Sequence, residues 1–161
     1  MTLLDVCRWI QNSSLLVAMR SSPWLFPIVA TIHLFGLAII GGSVLVVDLR
    51  LLGLARGVPV SALADHLLRW ARWALVLVVP TGSLMFIAHA TEMSSNPAFR
   101  LKLLLIAAAF LNAGLFHRWP FRAVGDWDTE IAAPLPAKLA GALSLGLWTG
   151  VLACGRLLAY F

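Results

Sequence analysis

Six ionisable side chains, His33, Asp48, His89, Lys102, His117 and Arg156, lie inside long apolar runs of this chain. Such groups are expensive within a hydrocarbon layer, so each is a functional candidate by default. Asp48, Lys102 and Arg156 fall within about two turns of an expected helix end. There Lys102 and Arg156 can snorkel to the headgroups, and Asp48 can pair with Arg50 or with a neighbouring helix. His33 sits deeper. Pro27 suits a first helical turn, which puts His33 about 9 Å along the axis. His89 lies about 6 Å from the exit end of the next apolar segment, which runs back to the same side. Two imidazoles at equal depth on different helices are what bis-histidine ligation of a haem requires. His33 and His89 are therefore the candidate metal ligands.

The neighbouring residues bear on that chemistry. Gly36 and Gly82 each share a helix face with one of these histidines, and a missing side chain there would let a porphyrin approach the backbone. Close helix–helix approach through small residues explains the same glycines without a ligand. "PTG" at Pro80–Gly82 reads as an interruption of its helix. His117, in "LFHRW", is either an interface residue or a ligand. It would pair with His66 for a second haem, or compete with His89 if the first helix starts near Pro23. Arg156 falls where a propionate of the His33–His89 haem would emerge, and guanidinium binds carboxylate bidentately.

These residues need a membrane scaffold. Of the 161 residues, 61% are hydrophobic and 12% charged, against about 25% charged in ordinary soluble chains. Mean hydropathy is +0.91, so lipid is the solvent for most of the sequence. The net charge of +5 sits between apolar runs rather than along one face. It reads as membrane-orienting charge and gives no reason to expect a nucleic-acid partner. No Walker loop, GxGxxG, GxSxG or zinc-type cysteine spacing is present, which argues against a soluble nucleotide-dependent or hydrolytic enzyme.

Four segments, about 27–48, 67–90, 99–116 and 137–160, are long enough to span, since a span takes about 20 apolar residues. Helical spacing of Leu3, Val6, Cys7 and Ile10 predicts an amphipathic helix over 2–20 lying in the membrane surface. The fold class is thus all-α: a four-helix transmembrane bundle with an N-terminal interfacial helix, one integral membrane domain over 1–161. Ser61 is a candidate N-cap for the second span. Trp24, Trp70, Trp73, Trp119 and Trp127 fall near span ends, as an aromatic belt places them. Trp148 falls mid-span, where its N–H needs a partner or a cavity. Seven Lys and Arg flank the first and third loops against five on the other side. That bias puts both termini outside, periplasmic in a bacterial inner membrane. Ala142, Gly146, Gly150 and Cys154 recur every four residues in the last span, a stripe suited to close helix approach or to a homo-oligomer. Cys7 and Cys154 read as small apolar residues, or as a disulfide if both ends face an oxidising compartment.

Four stretches carry a family resemblance: "HLFGLAIIGGSVLVVDLRLLGL", "VPTGSLMF", "NPAFRLKLLLI" and "LWTGVLACGRLLAY". Through them the chain resembles a bacterial family of small four-helix membrane proteins of unknown function. That family is similar in architecture to the membrane domain of copper-resistance protein D and to b-type haem four-helix cytochromes. The resemblance implies haem or copper. The four methionines form no spaced set, so thioether copper ligation finds little here.

The leading expectation is a membrane b-type haem protein relaying electrons within the bilayer, carrying one or two haems b. His33 and His89 would be its axial ligands, with His117 and Arg156 as further cofactor-binding residues. It would be an electron-transfer or binding protein rather than a stand-alone enzyme, with a membrane redox partner or quinone. The alternatives are a copper- or metal-handling permease with Asp48, Lys102 and the histidines along its path, and a structural subunit of a larger complex.

Overall fold

The computed structural model describes Val17 and residues 21–158. The expected interfacial helix and Cys7 lie outside the described residues, Val17 apart. Four long helices dominate: α1 (Leu25–Leu51), α2 (Val60–Ala88), α4 (Pro97–Arg118) and α5 (Leu135–Leu157). A short helix, α3 (Ala90–Ser95), follows α2, and a 3₁₀ segment over Pro120–Asp126 follows α4. All four long helices are long and apolar enough to cross a membrane. Their outer faces carry Leu34, Phe35, Val76, Leu104, Leu111 and Leu152 exposed, the arrangement expected where hydrocarbon rather than water is outside. Trp24 and Trp119 are exposed at helix ends as the aromatic pattern implies, whereas Trp70 and Trp73 are exposed well inside α2, because that helix starts at Val60, and Trp127 is buried.

Sequence sets the helix boundaries through identifiable caps. Asn96 accepts from the N–H groups of Ala98 at 2.9 Å and Phe99 at 3.4 Å, and Pro97 occupies the first turn of α4. α2 begins seven residues before the sequence expectation, and Ser61 is not its cap. The capping acceptor comes from a distant loop. The Asp128 carboxylate accepts from the Ser61 N–H and from the Ser61 hydroxyl, each at 2.7 Å, and the Asp128 carbonyl accepts from Val60 N–H at 3.1 Å. α2 also runs unbroken through Pro80 and ends instead at His89, whose φ of −127° and ψ of 32° make the corner into α3.

Arg50 locks this end of the bundle. It is 2% exposed, and it donates to the carbonyls of Val58 at 2.7 Å, Arg56 at 3.0 Å and Asp128 at 2.9 Å. One guanidinium fork thereby ties the α1–α2 loop to the loop before α5. Below this clasp lies a core of Val47, Leu51, Val60, Phe116, Trp127, Ala133 and Ala137.

The Asp128 carboxyl is held below the usual carboxylate range, first by the Ser61 N–H and then by the Ser61 hydroxyl. A depressed folded-state value contributes stability above the ordinary carboxylate pKa of about 4 and loses it as pH falls through the folded value. The midpoint of thermal unfolding is expected to hold steady from neutral pH to about pH 5 and to fall at more acid pH. Asp128→Asn should lower the neutral-pH midpoint and flatten the acid limb. An unchanged acid limb in that variant would disprove the assignment.

The helices stand in the order α2–α1–α5–α4. α1 packs on α2 and α5, α5 packs on α4, and α2 and α4 make no close backbone approach. Small residues set the contacts. A Cβ on Gly36 would lie 2.5 Å from Val78 Cγ2 on α2, and one on Gly150 would lie 3.0 Å from Leu105 on α4. The expected four-residue stripe on α5 is not a single contact face, because Ala142 and Gly146 are exposed while Cys154 is buried. Gly36→Ala is expected to cost about 1–3 kcal/mol by overpacking. Gly146→Ala, with nothing within 4 Å, should be neutral or slightly stabilising. Unfolding midpoints in detergent compare the two.

Candidate functional site

Asp48, one turn before the end of α1, is 5% exposed. Sequence alone offers Arg50 or a neighbouring helix as its partner; Arg50 turns away to the loop carbonyls. Asp48 instead reaches Ser144 on α5, and its Oδ2 is buried without a hydrogen-bond partner. α5 comes this close because residue 141 is glycine: a Cβ there would lie 3.3 Å from the Asp48 carbonyl oxygen and from Leu51 Cβ.

Asp48 borders a cavity of about 370 Å³ in the gap that α2 and α4 leave between them. α1 contributes Ile40 and Val44 beside Asp48. α2 contributes Asp65, Ala71 and Arg72, and α4 contributes Ala109, Phe110 and Ala113. Ser144 and Trp148 of α5 complete it, so the mid-span tryptophan meets the cavity its position called for. Asn112 also faces the cavity and donates from Nδ2 to the Ala140 carbonyl at 2.9 Å, tying α4 to α5. Volumes of roughly 300–1,000 Å³ with an apolar lining and a few placed polar groups are typical of small-molecule sites.

His117 belongs to this cavity. Its Nδ1 lies 2.8 Å from the Ala113 carbonyl, which can only accept, so Nδ1 carries the hydrogen and a neutral ring keeps its lone pair at Nε2. Phe116 and Phe121 hold the ring at centroid distances of 5.3 and 5.2 Å. His66, its expected partner, is exposed and does not line the cavity.

The other two histidines lie along the α1–α2 seam. His33 Nδ1 is 3.0 Å from Thr81 Oγ1. The Thr81 hydroxyl donates back to the carbonyls of Leu77 and Val78, so its oxygen accepts from His33. The ring fills the space over Gly82, where a Cβ would meet His33 Cε1 at 2.9 Å. Gly36 is likewise occupied by Val78, so both glycines serve helix and ring contact rather than open space. His89 packs edge-on against Phe26 at 5.4 Å. Phe26 is seven residues before His33, about 10 Å along α1. The two imidazoles therefore differ in depth by about two turns, and the equal depth expected from sequence is not what α1 and α2 produce. His117 shares the Asp48 level and is farther still from His33.

Lys102 does not simply snorkel outward. Its Nζ would lie 3.4 Å from a Cβ at Gly155 on α5. Arg156 is exposed near the end of α5. Among the described residues no group of three His, Cys, Asp or Glu side chains is placed to hold a metal.

Residues 9–161 match the family of unknown function DUF6644. The chain belongs to that family. No curated protein and no solved structure matches this DUF6644 chain. Its site is therefore read from its own residues: a polar floor of Asp48 and Ser144 under an apolar cavity within a membrane bundle. Ser144 and Asn112 went unremarked in the sequence, where the signal available was a lone hydroxyl and a lone amide inside apolar spans.

Proposed function

We propose that this DUF6644 chain is a membrane-embedded binding protein that takes a small, lipid-soluble molecule into the cavity between α2 and α4. The observation that supports it best is Asp48, buried with an Oδ2 that has no hydrogen-bond partner, among the residues lining a cavity flanked by two helices whose backbones make no close approach. The ligand would reach it from the bilayer. The proposed setting is a bacterial inner membrane with both termini periplasmic, on the strength of the Lys and Arg asymmetry. Of the residues the permease reading puts along its path, Asp48 and His117 line this cavity, and Lys102, His33 and His89 do not.

The second reading is the b-type haem electron relay that the architectural resemblance to four-helix cytochromes and copper-resistance protein D implies. What favours it is the hydrogen bonding of His33, which fixes the hydrogen on Nδ1 and leaves the Nε2 lone pair that a ligating imidazole needs. The His33–His89 pair does not fit a single iron as placed, because the rings differ in depth by about two turns.

One preparation tests both. Protein purified in lipid nanodiscs is analysed by native mass spectrometry and by absorption before and after dithionite. The cavity reading expects a retained small molecule and no Soret band. A Soret band lost in His33→Ala would favour the haem. A chain that is empty and colourless in every lipid tested would contradict both readings.

A further inference from the structure

We propose that the cavity's ligand is a lipophilic amine whose protonated nitrogen seats against Asp48 while its apolar body lies between α2 and α4. The proposal rests on the cavity-binding reading and names the class of molecule bound. Asp48 is 5% exposed and its Oδ2 has no donor, and no described cation pairs with it. The nearest guanidinium along the chain, Arg50, gives its Nε and Nη2 to three backbone carbonyls, and its Nη1 has no partner, Asp48 included. A carboxylate in a membrane interior needs a counter-charge or donors to be tolerated, and the bundle supplies one hydroxyl, Ser144.

The rest of the lining points the same way. Asp48 and Asp65 set two carboxylates against one guanidinium, Arg72, so the formal charge of the wall favours a cation. Phe110, Phe116 and Trp148 add aromatic rings to the lining, and ring faces attract ammonium groups. A neutral hydrocarbon would leave Oδ2 buried and unpaired, and an anionic ligand would meet like charge. An amine satisfies the oxygen and fits the apolar remainder.

The test compares radiolabelled 4-phenylbutylamine with radiolabelled pentylbenzene, a hydrocarbon of similar size. Binding is measured to the full chain in phosphatidylcholine nanodiscs above an empty-disc background. The amine is expected to bind saturably and at least tenfold more tightly than pentylbenzene. Asp48→Asn should weaken the amine tenfold or more and leave pentylbenzene unchanged, which also reports that the variant is folded. Equal binding of both probes by the unaltered chain, or an Asp48→Asn variant that keeps its amine affinity, would overturn the amine proposal while the cavity reading stands. If neither probe binds saturably, the cavity reading falls and the amine proposal with it.

Discussion

Arg50→Met is expected to lower the stability of the folded bundle by about 3–5 kcal/mol, because it leaves three loop carbonyls without their charged donor. The reason is the number of acceptors that one fork serves. The carbonyls of Val58, Arg56 and Asp128 all take their hydrogen bonds from Arg50, and bonds to a charged donor each contribute about 1.5–3 kcal/mol, without strict additivity. Met retains much of the apolar stem, so the loss isolates the guanidinium. Arg50→Lys should recover little, because an ammonium cannot reproduce the fork that spans two loops. Denaturant titration in mixed micelles measures both variants. A lysine variant as stable as the unaltered chain would show that charge alone, and not the three-carbonyl clasp, holds this end.

Ala113→Trp is expected to empty the cavity, with at least about a 100-fold loss of ligand affinity, equivalent to about 2.7 kcal/mol. Ala113 lines the cavity yet is exposed on α4, so an indole there can occupy the gap facing α2 without displacing core side chains. The unfolding midpoint should therefore move little while the co-purifying molecule disappears from the native mass spectrum. Ala142→Trp, on the exposed face of α5, is the matched control and should keep its ligand. Loss of ligand in both variants would trace the effect to the lipid surface and not to the cavity.

The architecture was legible because hydropathy is a local property: each span carries its own apolar run, and Asn96 and Pro97 announce the start of α4. The beginning of α2 was not legible, since its capping carboxylate, Asp128, arrives from a loop 67 residues away. The site was harder for the same reason. Ideal helices give His33 and His89 equal depth, but the corner at His89 and the contact with Phe26 separate them. Sequence places Asp48 near a helix end and leaves its partner open between Arg50 and a neighbouring helix. Only the tertiary fold shows Arg50 drawn off to loop carbonyls and Asp48 left facing a cavity. Trp148 was the sequence feature that did point to this place, because an indole in mid-span asks for a partner or a space.

The central claim is that a space beside Asp48 is reachable from lipid and can be filled by a small molecule. Ser144 sits on its wall at 9% exposure, so Ser144→Cys, with Cys7 and Cys154 replaced by Ala, puts a reporter thiol there. In intact membranes a lipid-soluble maleimide should label this thiol, a charged impermeant thiol reagent should not, and 4-phenylbutylamine should slow the labelling. A reporter at Ala142→Cys, facing outward two residues away, should label regardless of the amine. If the outward thiol reacts with the maleimide while Ser144→Cys remains unlabelled, or reacts equally fast with and without the amine, the account of this cavity as a binding site is wrong.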